Sequence, residues 1–175
     1  ERYIDFCKKT YVPIYSQSWW LDAVCGPENW DVWLLENGSE IEAAMPFYIE
    51  KRGEYTYITK ALLSQNNGII FNYPNGIKDV GMQQFEERVI NAACEFIQSL
   101  NVDVYEQQYH YTFKNWLPFF WNFYSAVTRY TYVLDDLNDL AKVWENMSSK
   151  YRKNIKKGQK NARFETDLDY VSFYQ

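Results

Sequence analysis

The sequence is poor in the side chains that most often do metal and redox chemistry. Its only histidine is His110, and Cys7, Cys25 and Cys94 are its three cysteines. An odd number of widely separated cysteines, without Cys-x-x-Cys spacing, argues against a disulfide framework and against a zinc site. They read as free buried thiols of a reducing compartment. A single histidine among scattered acids makes a poor metal ligand set, so no metal is expected. Ser, His and Asp occur in no order with the motif context of a nucleophilic triad. Long hydrophobic runs are missing too, which excludes a membrane span. The densest run, WLPFFW at 116–121, is too short and contains Pro118. Neither an internal repeat nor a low-complexity linker stands out. No signal peptide opens the chain and Glu1 is not an initiator Met, so a cytoplasmic location is an expectation.

Apolar residues and aromatic rings are abundant. The 175 residues are 47% hydrophobic, enough for one comfortable domain or two small ones with packed cores. Sixteen Tyr, eleven Phe and seven Trp supply the rings. Their plain role is to fill a core and a subdomain seam. A sharper role is a stacking surface for sugars or bases, with Tyr105, Tyr109, Tyr111, Phe113 and Trp116 as candidates.

Charge is distributed unevenly. Residues 146–164 contain Lys150, Arg152, Lys153, Lys156, Lys157, Lys160 and Arg163 and no acid. Those cations give the stretch +7, and taking it out of a chain of net −5 leaves −12. A cationic segment on an acidic protein is a local device whose natural partner is an anion. Arg152 and Lys156 are four apart on one helical face, and Lys153 and Lys157 form the neighbouring row. Arg grips phosphate bidentately and Lys adds mobile charge. Lys150, Arg152, Lys153, Lys156 and Lys157 are therefore the candidate phosphate-binding residues. The plain alternative is a solvated cationic face packed through Tyr151 and Ile155.

Periodicity and turn residues predict the following order. An extended lead-in covers residues 2–8. A short helix capped by Ser16 or Ser18 runs through Val24 and ends at Gly26-Pro27. Strands cover 31–36 and 41–50 around an Asn37-Gly38 hairpin, with Pro46 marking a bulge or an edge. A turn at Arg52-Gly53 leads to a strand over 55–59. A polar loop at 64–68 precedes a strand over 69–71, and a turn follows at 73–76. The apolar stripe of Phe85, Val89, Ala92, Ala93, Phe96, Ile97 and Leu100 predicts a helix over 80–100 that Asn101 ends. A strand over 102–107, a helix over 113–122 and a long aromatic strand over 123–134 come next. Asp135 and Asp136 then suit the N-cap and first turn of a helix whose apolar face runs from Leu137 to Met147. With Asp139 they could be imagined as metal ligands, but capping accounts better for the first two. Ser148 or Ser149 caps a second helix that Gly158 ends, with Lys156 and Lys157 in its last turn. A short strand over 162–166 and a helix from Asp167 complete the chain. This is an α+β order with a mixed, mainly antiparallel sheet flanked by helices.

The acidic start, the Leu-rich helix, the string S-x-K-Y-R-K-x-I-K-K-x-x-K at 148–160 and the short strand after it resemble the Fem-type branch of the GNAT acyltransferase superfamily. That branch includes the bacterial peptidoglycan aminoacyltransferases. The earlier chain adds to the resemblance. Tyr15-Ser16-Gln17-Ser18-Trp19-Trp20-Leu21 is similar to the family's opening S-x-W-L helix. The hairpin over 30–48, ending Ala43-Ala44-Met45-Pro46-Phe47-Tyr48, is similar to its first strand pair. Leu62-Leu63-Ser64-Gln65-Asn66-Asn67-Gly68-Ile69-Ile70 resembles the loop and strand that follow.

The resemblance implies a first GNAT-like subdomain over 1–128. It also implies the beginning of a second over 129–175, opened by the basic helix and truncated at Gln175. The implied activity is transfer of an acyl or aminoacyl group onto an amine of an anionic or cell-envelope precursor, incomplete in such a fragment. The implied donor is acyl-CoA or aminoacyl-tRNA. The partners would be an anionic small-molecule or carrier-linked substrate and tRNA. A half-built subdomain would also favour self-association. Ordinary GNAT enzymes hold the donor's pyrophosphate on a Gln/Arg-x-x-Gly-x-Gly/Ala loop at a helix start. The nearest string here, Gln65-Asn66-Asn67-Gly68-Ile69-Ile70, lacks the final small residue and leads into a strand, so it reads as a turn. No catalytic residue can be named. His110 has Glu106 as its nearest acid in sequence, but its plain reading is an exposed or hydrogen-bonded ring. Tyrosine could act as general acid, and sixteen candidates give no means of choice. Two other readings stand beside the transferase: a nucleic-acid-binding module, and a non-catalytic scaffold for a partner or a carbohydrate.

Overall fold

The computed structural model describes residues 1–134, 136–163, 167 and 169–173. The chain divides into two compact units, Glu1–Arg129 and Tyr130–Gln175.

The first unit is α+β. Its sheet is built from β1 (Trp30–Asn37), β2 (Glu40–Arg52), β3 (Tyr55–Thr59), β4 (Ile70–Phe71) and β5 (Val104–Tyr105). The strand order is β1-β2-β3-β5, with β4 also paired to β2. Every pairing is antiparallel except β3 with β5. Parallel neighbours require a long crossover, and it contains α3 (Asp79–Ser99). The β1–β2 loop is Gly38-Ser39, with Asn37 opposite Glu40 and Gly38 at φ 63°.

Residues 43–47 of β2 are all buried, because helices cover the sheet on both faces. Ala43 and Met45 lie in the cluster with Phe85, Val89, Ile90, Ala93, Cys94 and Ile97 of α3. Ala44 joins Tyr3, Phe6, Val12 and Ile70 in a separate cluster. Pro46 pairs in register with Val32, and the irregularity in that ladder falls between Leu35 and Glu36 instead. Pro46 is tolerated in a central strand because of where its missing N–H would point. Ile49 N donates towards the β1 side, and Glu42 O accepts from Asn72 on the β4 side. Backbone direction alternates along a strand, so residue 46 faces the interval where β2 passes from β4 to β3.

Several expectations are corrected in this unit. Residues 2–8 are not extended: α1 spans Arg2–Lys9. Eight residues are too few to hold a helix alone. Tyr3 and Phe6 are one turn apart and both buried, and Tyr3 Oη donates to Ser16 O at 2.6 Å. Neither Ser16 nor Ser18 caps α2 (Ser18–Cys25). Ser16 lies in the 3-10 turn Ile14–Ser16, Ser18 is already helical, and Gln17 is the N-cap. Gly26 ends α2 at φ 78°. The strand expected over 102–107 shortens to β5. The helix expected over 113–122 shortens to α4 (Leu117–Trp121). Pro118 fits only a first turn, so the helix starts beside it. Phe113 instead packs on Tyr109 at 4.3 Å and Phe71 at 5.8 Å. The aromatic run 123–134 is not a strand. Phe123 turns back at φ 66°, and among the described residues no strand pairs with it. High β-propensity without a neighbouring edge leaves a segment irregular.

The second unit contains α5 (Leu140–Asn146), α6 (Ser149–Asn161) and α7 (Tyr170–Phe173). The cap of α5 is Asp139, whose Oδ1 accepts from Lys142 N at 3.0 Å. Asp136 turns the chain ahead of it by accepting from Asn138 N, and Asp135 lies outside the described residues. Ser148 caps α6, its Oγ accepting from Tyr151 N at 3.5 Å. Gly158 does not end this helix. The helix continues to Asn161, because Gly is a poor helix former but not a stop unless the backbone turns left-handed. Lys156 and Lys157 therefore lie inside α6, and Lys160 occupies its last turn. Ala162 and Arg163 are not strand, and 164–166 lie outside the described residues. The helix expected from Asp167 begins instead at Tyr170. Asp169 caps it, accepting from the N–H groups of Val171 and Ser172.

Candidate cationic site

The cations of the candidate site all lie on α6. At about 100° per residue, Lys150, Arg152, Lys153, Lys156, Lys157 and Lys160 fall within one arc of about 160°. Tyr151 and Ile155 fall on the opposite side. Tyr151 is 67% exposed and Ile155 is 37% exposed, so neither is buried. The packing role that the plain alternative assigns to them is therefore small in this structure.

A short connection, Met147 and Ser148, brings the end of α5 against the first turns of α6. The result is an open groove of about 470 Å³ lined by Trp144, Ser149, Arg152, Lys153 and Lys156. Lys156 Nζ stands 5.8 Å from the centroid of the Trp144 ring, a cation–π approach. Arg152 Nη1 donates to Glu145 O at 3.3 Å, which anchors the guanidinium on the last turn of α5. Three of the five sequence candidates, Arg152, Lys153 and Lys156, thus share the groove. Lys150 and Lys157 lie on the same helical face outside it. Trp144, Ser149 and Lys160 were not among the candidates. Helical spacing would have found Lys160. By spacing Trp144 belongs to the apolar face that runs from Leu137 to Met147, and only the turn at 147–148 places it beside Lys156. Cations held together in a groove with an indole wall can bind a phosphorylated or otherwise anionic group.

The other candidates resolve differently. Tyr105, Tyr109 and Phe113 pack against the core of the first unit, and Tyr105 Oη lies 2.7 Å from Tyr109 Oη. Burial raises both phenols above the usual tyrosine range. Tyr111 and Trp116 are exposed; Tyr111 lies against His110 at 4.3 Å and Trp116 against Phe120 at 6.3 Å. These five rings do not form one stacking platform. His110 Nδ1 lies 2.8 Å from Thr112 Oγ1, so its partner is a hydroxyl rather than Glu106. Burial pushes its pKa down, leaving a neutral ring at pH 7.

The loop at 64–68 is an internal fastening. Asn67 is buried; its Oδ1 accepts from Ala61 N, its Nδ2 donates to Tyr15 O, and its backbone N donates to Gln108 O. Ser64 N donates to Ala61 O, and Ser64 Oγ accepts from Trp20 Nε1. The Asn67 and Ser64 amides are thus engaged within the chain rather than aimed at a pyrophosphate. Among the described residues, no three His, Cys, Asp or Glu side chains are grouped to hold a metal ion. Among them, too, no helix is long and apolar enough to cross a membrane.

Compared with protein-family models, with curated proteins and with solved structures, the chain matches none.

Proposed function

We propose that the chain is part of a Fem-like GNAT transferase, and that α6 holds an anionic substrate or carrier while an acyl or aminoacyl group passes to an amine. The observation that carries the reading is the acid-free face of α6, with Arg152 and Lys156 held at one groove beside Trp144. The order of sequence motifs supports it, as does an element order compatible with a GNAT-like fold. Such a protein works by binding and positioning, with no strong nucleophile required. The donor would be acyl-CoA or aminoacyl-tRNA, and the acceptor a phosphorylated cell-envelope precursor in the bacterial cytoplasm.

The test is native mass spectrometry of the intact protein with acyl-CoA, aminoacyl-tRNA and nucleotide-sugar pools. Retention of one of these, with a donor-dependent mass gain on an amine, is the expected result. Arg152→Ala and Lys156→Ala should each weaken retention by roughly tenfold, the loss of one charge-assisted hydrogen bond, with the fold intact. Full retention and transfer by both variants would show that α6 is not the anion site. The same groove also suits a nucleic acid, since Trp144 offers a stacking face beside cations. Affinity for random RNA that falls steeply with salt, without transfer, would select that reading.

A further inference from the structure

We infer that Asp31 guards the outer edge of β1 against pairing with the β1 of a second copy of this chain. The inference does not rest on the transferase reading.

The two edges of the sheet differ. β5 is two residues long and offers little for another strand to copy. β1 is eight residues long, WDVWLLEN, and among the described residues it pairs with β2 alone. None of its residues is fully buried, whereas residues 43–47 of β2 all are. Its Trp, Val and Leu side chains suit a sheet. A long apolar edge with unpaired backbone is a template for a second chain, and the identical edge of another copy is always at hand.

Backbone direction shows which groups that edge offers. Ile49 N donates to Asn29 O, so Asn29 faces β2, and by alternation Asp31, Trp33 and Leu35 do the same. Trp30, Val32 and Leu34 therefore turn their N–H and C=O groups outwards. When β1 pairs antiparallel with itself, outward residues bond one another, so Val32 N–H must donate across the new interface. That N–H is already taken. Asp31 Oδ1 accepts from it at 2.7 Å, and the carboxylate occupies the line that an incoming carbonyl needs.

Charge acts in the same direction. Asp31 and Glu36 are the only ionisable residues of β1, and both are acids. Arg2 Nη1 holds Glu36 at 2.6 Å, whereas among the described residues no cation pairs with Asp31. With Val32 at the two-fold axis, the two Asp31 side chains fall on one face as diagonal neighbours, where like charges repel. Asp31 is exposed, so replacing it leaves the core in place.

The experiment is sedimentation equilibrium of the intact protein and of Asp31→Ala, with amide hydrogen exchange along β1 followed in parallel. A freed N–H bonded across the interface is worth about fivefold, and the two-fold axis uses it twice, so Asp31→Ala should dimerise about 25-fold more tightly. Exchange at the Val32 and Leu34 amides should slow in that dimer. Asp31→Ala/Val32→Pro removes the outward donor without breaking a bond to β2, and should return to the parent's association constant. Glu54→Ala removes the same charge from the exposed β2–β3 turn and should match the parent. An unchanged association constant in Asp31→Ala would overturn the inference. So would an equal rise in Glu54→Ala, or tighter association without slower exchange at Val32 and Leu34, which would assign the contact to another face. The exchange measurement needs the Asp31→Ala variant alone, so a proline variant that fails to fold leaves the test in force.

Discussion

Substituting Gly68 tests whether the one loop that looks like a phosphate cradle is instead a packing device. A Cβ added there would lie 2.5 Å and 2.7 Å from two carbons of the Tyr109 ring, and the backbone is at φ +116°. The ring has little freedom to retreat. Its hydroxyl meets Tyr105 Oη at 2.7 Å, and Phe113 and Phe119 pack against it at 4.3 Å and 5.5 Å. Backbone strain at such a φ costs about 1–3 kcal/mol, and forcing a methyl into a filled site about 1–3 more. Gly68→Ala should therefore destabilise the protein by about 2–6 kcal/mol, lowering Tm by roughly 10 °C. Gly38→Ala is the internal control: φ is +63° but nothing lies within 4 Å, so only the backbone cost of about 1 kcal/mol applies. Both variants are measured by thermal and urea unfolding, alone and in a Tyr109→Leu background. Removing the ring should relieve most of the excess cost of Gly68→Ala. If the two glycine variants cost the same, or if the Gly68 cost is unchanged without the ring, the collision argument is wrong.

Three further outcomes can be checked with the same purified protein. Asn67→Ala leaves Ala61 N and Tyr15 O without their side-chain partner and should cost about 2–4 kcal/mol by urea unfolding. Glu42 accepts from Arg88 Nη1 at 2.8 Å, and that guanidinium holds its carboxyl below the ordinary value of 4.5. Its stabilisation is fully present above that value and is lost as pH falls through the lower folded one. Glu42→Gln should thus cost roughly 1 kcal/mol at neutral pH, discounted for the exposed Arg88, with a difference that closes under acid conditions. Gly158→Ala lies inside α6 with open space around it and opposite the cationic arc, so it should raise helix content and stability by about 0.5–1 kcal/mol. Retention of any anion bound by α6 should not fall.

What the sequence determined by itself were features with local causes. The two hairpin turns, which fall at Gly38-Ser39 and Gly53-Glu54, one residue beyond the Asn37-Gly38 and Arg52-Gly53 signals, depend on residues within a few positions of one another, as do the stripe of α3, the Gly26 stop and the Ser148 cap. The same holds for the cationic face of α6, since helical spacing alone aligns six cations. The tertiary structure decided what depends on partners distant in sequence. Arg2–Lys9 is a helix because Tyr3 finds the carbonyl of Ser16 and a shared apolar cluster with β2 and β4. Residues 123–134 stay irregular because no strand edge among the described residues receives them. Pro46 is accepted in a central strand because its missing donor faces a gap between two partners. Trp144 becomes a groove wall only when the turn at 147–148 folds α5 back on α6, and the outer rings of α4 are left in water only because Pro118 and Phe119 have taken the core side. Local propensity is worth a few tenths of a kcal/mol per residue, whereas burying or exposing one aromatic side chain is worth about 1.5–3 kcal/mol, so where the two compete, packing sets the outcome.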